Sequence, residues 1–127
     1  MLIALALALA PAAVIVDGAA VTRDEPPPHG AIGMSTAHRI SDAVPDRTME
    51  FRRRILHVGA AIGPHPIGHD EVYYVLSGEG EVVSDGVTHR VRAGMGVYFY
   101  NGAVVGIRQL GDQPLDLIIS YPVPRTN

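Results

Sequence analysis

No cysteine occurs anywhere in the 127 residues. Disulfides, thiolate metal sites and cysteine nucleophiles are therefore excluded. Charge is scarce as well: charged residues make up 18% of the chain, and the net charge is −3. Binding of nucleic acid calls for a basic stripe against the phosphates. The one basic run, Arg52-Arg53-Arg54, falls in a strand-like segment where neighbours point to opposite faces, so it makes no patch. Nucleic acid is not an expected partner. No segment keeps a sustained helical period, and no repeat is visible beyond a rhythm of short strands. Serine–histidine–carboxylate spacings, phosphate loops and nucleotide motifs are also missing. What is present is an apolar fraction of 47%, enough for one domain with a real core.

The N-terminal stretch MLIALALALAPAAVIV carries no charged side chain before Asp17. It is short for a membrane-crossing helix and is interrupted by Pro11. Small residues follow it at Asp17-Gly18-Ala19-Ala20-Val21. Residues 1–20 therefore read as an apolar secretory signal, cleaved between Ala10 and Val21. The expectation is a periplasmic or secreted mature protein with no stable membrane span. The alternative is a cytoplasmic protein in which this segment packs as a buried strand. Residues 21–36 read as a proline-rich arm, because Pro26-Pro27-Pro28 favours extended polyproline and supports neither a helix nor a sheet ladder. His29 on this arm is expected to be solvated. The arm and the strand edges of the following domain, residues 37–127, need covering, and a homodimer is the expected way to cover them.

From there the chain reads as strand after strand: 48–58, 71–77, two alternating runs joined by Asp85-Gly86, then 96–101, 104–110 and 115–123. An Asp-Gly pair between alternating runs is the strongest short-range hairpin signal in the chain. Glycine-marked turns at short spacing complete the pattern, and the fold class is all-β, a sandwich or barrel.

From about Phe51 to Pro122 the chain resembles a small single-domain cupin of the type 2 kind, a double-stranded β-helix or jelly-roll barrel, with degenerate metal motifs. The first family motif is echoed by His65, Glu71 and Gly78 at family spacing, followed by GEGEV. The second is echoed by Gly94 and Gly102, with Tyr100 at the proline position and Gln109 at the asparagine position. The resemblance implies up to four metal ligands inside the barrel, two histidines and a glutamate from the first motif and a histidine from the second. Only His65 and Glu71 match. Ile67 and Val105 stand at the other two positions and cannot ligate.

His69 is the candidate replacement. A His65–His69–Glu71 set would suit Zn, Mn, Fe or Ni by ligand type; without it, no cofactor is expected. By strand parity Glu71, Tyr73 and Val75 share one face, and Val105, Ile107 and Gln109 share another. In the family register both sets point into the barrel. That makes His65, Glu71, Tyr73 and Gln109 the candidate ligand-binding residues. Glu71, a carboxyl in an apolar cavity, is the candidate general acid or base. Arg52 and Arg54 share a face and Arg53 takes the other; parity alone does not say which is inside. His57 and His89 match no motif. The expected function is an exported cupin-fold protein that binds a small molecule, a sugar, sugar acid or small carboxylate, with metal weak or absent. The alternative is a metal-dependent isomerase, lyase or dioxygenase using His65, His69 and Glu71. The residues leave open whether there is catalysis at all.

Overall fold

Alternation dictates the strands. In the stretch Glu71–Ser77, residues 71, 73 and 75 are buried while Val72, Tyr74 and Leu76 are exposed, as expected of a strand with one face on a core. A computed structural model describes residues 9–30 and 32–123 and contains ten strands. They are β1 (Thr22–Glu25), β2 (Ser35–His38), β3 (Met49–Leu56), β4 (Ala61–Pro66), β5 (Glu71–Ser77), β6 (Glu79–Ser84), β7 (Val87–Arg92), β8 (Gly96–Phe99), β9 (Val104–Leu110) and β10 (Leu115–Pro122). Short 3₁₀ turns at Gly18–Val21 and Ile40–Ala43 complete the regular structure.

The strands form two antiparallel sheets. One has the order β1-β2-β3-β10-β5-β8 and the other β4-β9-β6-β7. Between them lies one core, built around Leu56, Val75, Val82, Phe99, Val105, Leu115 and Leu117, each at most 1% exposed. The hairpin between β6 and β7 turns at Asp85-Gly86, where φ is +47° and +80°. Two consecutive positive φ values define the type I′ turn that matches strand twist, which is why an Asp-Gly pair serves there. The last strand, β10, lies in the middle of the larger sheet. Leu115 pairs with Leu56 on one side, and Leu117 pairs with Val75 on the other.

The larger sheet takes in residues ahead of position 37. β1 pairs with β2, with Thr22 opposite His38 and Glu25 opposite Ser35. The three prolines follow β1 directly and lie outside the strand, as their missing N–H groups require. The apolar N-terminal segment lies partly in residues 1–8, outside the described residues. Its described part, 9–17, holds no strand, and Leu9 and Ile15 are 89% and 90% exposed. No helix among the described residues is long and apolar enough to cross a membrane.

Candidate functional site

The site grows out of strand parity on the inner face of the larger sheet. On β3 the buried positions alternate through Glu50, Arg54 and Leu56, with Arg52 partly buried in the same phase. This settles which face of 48–58 is inside: Arg52 and Arg54 point inward. Arg53 points outward and makes a two-pronged ion pair with Asp116, at 2.9 and 2.6 Å. On β5, Glu71 and Tyr73 point inward at 6% and 2% exposure. Across the sheet Arg52 pairs with Ile119, which pairs with Tyr73. These side chains floor a cavity of about 450 Å³. Ile62, His65 and Ile67, on or just after β4, form its opposite wall, and Glu25, Pro26, Pro28 and His29 close over it from the arm.

Glu71 is the central group. Its Oε2 is buried without a hydrogen-bond partner among the described residues, and His69 Nε2 stands 4.0 Å from Oε1, beyond hydrogen-bond reach. Burial, with no compensating donor, pushes its carboxyl up to about 7. Tyr73 beside it is pushed upward by burial and by the Glu71 charge. Its ring meets Phe99 edge-on at 4.9 Å, which fixes it in place. Tyr121, on the inner face of β10, is also raised by burial. It stacks on His69 at 4.4 Å between ring centres.

The arginine side of the cavity is richly paired. Arg39 Nη2 donates to Glu25 Oε1 at 2.6 Å, and Arg54 Nη2 donates to the same oxygen at 3.3 Å. Arg54 Nη1 also reaches Ser35 Oγ at 2.8 Å. The Arg39 hydrogen bond holds the Glu25 carboxyl below the usual carboxylate range, against a smaller opposing effect of burial. Burial pulls Arg54 downward, with Arg39 and Arg52 pressing the same way.

The histidines divide. His69 faces the cavity in phase with Glu71. His65 lies on the cavity wall, but its Nδ1–H donates to the Gly63 carbonyl at 2.8 Å. Its ring stacks on His29 at 3.6 Å, with the two planes 10° apart. His29 is exposed, as expected of a loop histidine, with one face of its ring taken up by that stack. The arm folds back over β4 because Gly63 leaves room: a Cβ there would fall 2.2 Å from the His29 carbonyl oxygen. His57 is hydrogen-bonded to Thr36 at 2.8 Å, and His89 is exposed on β7.

Gln109 points inward as parity requires, but it stands at the far end of β9 from the cavity. Its Nε2 donates to the carbonyls of Leu110, Gly111 and Gln113, and its Oε1 accepts from Gly59 N–H. All its capacity goes into closing that end of the barrel. The structure thus brings His65, His69, Glu71 and Tyr73 to one cavity and leaves Gln109 out. Sequence reasoning missed Glu25, Arg39 and Tyr121. Tyr121 was within reach, since it continues the inward phase of Leu117 and Ile119. Glu25 and Arg39 carried no local signal, because the docking of β1 on β2 creates their role.

The metal that this fold family implies does not fit the donor set. Ile67 and Val105 are buried hydrocarbon at 5% and 0% exposure, and His65 is engaged by Gly63 and His29. Among the described residues no group of three or more His, Cys, Asp or Glu side chains is placed to hold a metal ion.

Two antiparallel sheets closed over one core, with polar side chains gathered at one mouth, define a β-barrel of the jelly-roll class. The family model for the cupin domain matches residues 52–121, more than half of the chain, and the chain belongs to that family. No curated protein matches it. Among solved structures it is similar to a predicted oxalate decarboxylase from Thermotoga maritima, at 22% identity and a TM-score of 0.77, covering 87% of this chain and all of that one. It is also similar to an RmlC-like cupin from Shewanella frigidimarina, at 21% and 0.64, covering 82% and 86%. A third is KdgF from a Halomonas species, at 20% and 0.61, covering 71% and 80%. At such identities the likeness is one of fold.

Proposed function

We propose that the protein binds a small polar molecule, a sugar, sugar acid or small carboxylate, in the cavity at the barrel mouth. Glu71 is the central contact, and the family's metal positions hold no metal. The observation that carries this reading is the Glu71 carboxyl, buried at the wall of a cavity with Oε2 unpartnered. Buried polar atoms in folded proteins are nearly always paired, and an unpaired one costs about 1–3 kcal/mol. A purely structural glutamate would have been given a donor; a ligand hydroxyl supplies one. The cavity volume lies in the range of small-molecule sites. The resemblance to a protein described as a predicted oxalate decarboxylase points the same way, since oxalate is a small carboxylate.

Calorimetric titration with a panel of sugars, sugar acids and small carboxylates is expected to find a ligand whose binding Glu71→Ala abolishes. Circular dichroism of that variant should still show the barrel. A ligand bound equally well by Glu71→Ala would move the site elsewhere. The carboxyl at about 7 favours a second reading, in which the bound molecule exchanges a proton with Glu71 in an isomerase- or lyase-type step. Conversion of the ligand, followed by NMR on the same samples, separates the two.

Export and pairing of two copies complete the proposal. Export is supported by where contacts with the barrel begin among the described residues. The Gly18–Val21 turn is tied to the end of β2 through His38 Nδ1 and Gly18 O, 2.9 Å apart, and through Arg39 N–H donating to Val21 O at 3.3 Å. Cleavage ahead of Asp17 would leave those contacts intact. N-terminal sequencing and light scattering of protein from the native host test both parts. A chain starting at Met1 overturns the first, and a monomer mass overturns the second.

A further inference from the structure

We infer that the ligand is a hydroxy-carboxylate, its carboxylate held against Arg39, Arg52 and Arg54 and its hydroxyl held by Glu71. This rests on the binding role proposed above for the same cavity and narrows it to a chemical class. All four side chains line the one cavity, the arginines coming from the β2–β3 side and Glu71 from β5.

The arginine wall is positive after its internal pairing is counted. Arg39, Arg52 and Arg54 line the cavity with Glu25, and behind them Arg47, Asp42 and Glu50 complete a network of four guanidinium groups and three carboxylates. Donors are also left over. Arg39 Nε is buried and has no partner among the described residues. Arg52 donates only through Nε and Nη2, to Glu50 and Asp42, so its Nη1 makes no hydrogen bond among the described residues. Guanidinium groups present forked donors that match a carboxylate, and buried donors without acceptors are as unusual as buried acceptors without donors. The two unpartnered buried side-chain atoms of the described residues, Arg39 Nε and Glu71 Oε2, thus belong to residues that line the same cavity, one a donor and one an acceptor.

The spacing sets the size of the molecule. Arg52 and Tyr73 lie in one cross-sheet row with Ile119 between them, two strand spacings or roughly 10 Å apart at the backbone. Glu71 is the next inward residue on the same strand as Tyr73. Side chains reaching in from both sides leave a gap that a molecule of a few carbons spans. An anion alone would satisfy the arginines and leave Glu71 orphaned; a neutral polyol would do the reverse.

Two matched pairs of probes separate these contributions by calorimetry at pH 6. Malate differs from succinate by one hydroxyl, and gluconate differs from glucitol by its carboxylate. The expected result is that malate binds about fivefold tighter than succinate, the worth of one hydrogen bond to the neutral Glu71 carboxyl, and gluconate about tenfold tighter than glucitol, the worth of one charge-assisted hydrogen bond. Arg52→Gln should narrow the gluconate–glucitol difference, Arg39 and Arg54 remaining, and Glu71→Ala should erase the malate–succinate difference. If Arg52→Gln fails to fold, the four titrations of the unaltered protein decide the matter. Succinate binding as tightly as malate, glucitol as tightly as gluconate, or inorganic phosphate displacing the acids would overturn the inference and leave the broader binding role standing. No binding of any of the four at millimolar concentration also overturns it, and the wider panel with Glu71→Ala then judges the binding role separately.

Discussion

Glu71→Gln is expected to change the pH dependence of stability more than any other single substitution of a titrating group. With a folded-state value of about 7 against 4.5 in the unfolded chain, Glu71 holds its proton in the folded protein over a range where the unfolded chain has lost it. Stability therefore falls as pH rises from about 4.5 to about 7. The favourable contribution of the neutral acid is complete below pH 4 and gone above pH 8. Glutamine does not titrate. Relative to its own value at pH 4, the variant should be more stable than the parent by about 2–3 kcal/mol at pH 8. Urea denaturation of both proteins at pH 4, 6 and 8 measures this difference, and groups common to both cancel. Parallel curves would mean that Glu71 is paired or hydrated in solution, and would remove the main support for a ligand site. A stabilised protein that has lost binding is the usual signature of a functional group kept against the interest of the fold.

Gly78→Ala should cause the largest loss of stability. Gly78 joins β5 to β6 with φ of +85°. A Cβ there would lie 2.2 Å from the Pro114 carbonyl oxygen and 3.0 Å from Leu115 Cα. Both are backbone atoms at the start of β10, so no rotamer change relieves the clash, and central pairing has to give way. The expected loss is at least about 3 kcal/mol, with strain and overpacking acting together. Gly86→Ala is the control. Its φ of +80° is equally unfavourable to alanine, but nothing lies within 4 Å of the added carbon, so the expected loss is about 1 kcal/mol. Thermal melts of the two variants separate close packing from backbone strain. Equal losses would show that Pro114 does not press on Gly78 as described.

The parts of the fold legible in the sequence were those fixed by local pattern. The limits of β5 and β9, the Asp85-Gly86 turn and the inward phase of Glu71, Tyr73 and Val75 follow from alternation and turn chemistry, and the structure places them so. The direction of Arg52 and Arg54 needed one fact that parity cannot supply, which side of β3 meets the other sheet. Gln109 shows the opposite limit: its phase was readable, but a strand has two ends, and only the tertiary fold says which one is the mouth. The roles of Glu25 and Arg39, and the stacking of His29 on His65, were beyond reach for a further reason. Their segment is rich in proline and glycine and carries no periodicity. It takes its place only because β1 finds the edge of β2 and Gly63 admits the His29 carbonyl.

The position of β10 has a consequence for how the protein is made. It is the tenth strand to leave the ribosome, yet β3 and β5 each need it as their partner. Until it emerges, the two halves of the larger sheet have no direct ladder between them, and Leu115, Leu117 and Ile119 are missing from the core. Pairing over such sequence distances is slow because chain closure precedes its reward. The larger sheet is therefore completed only when the last strand has emerged. Shortening the chain ahead of residue 115 would yield two edges facing an empty slot rather than a smaller barrel.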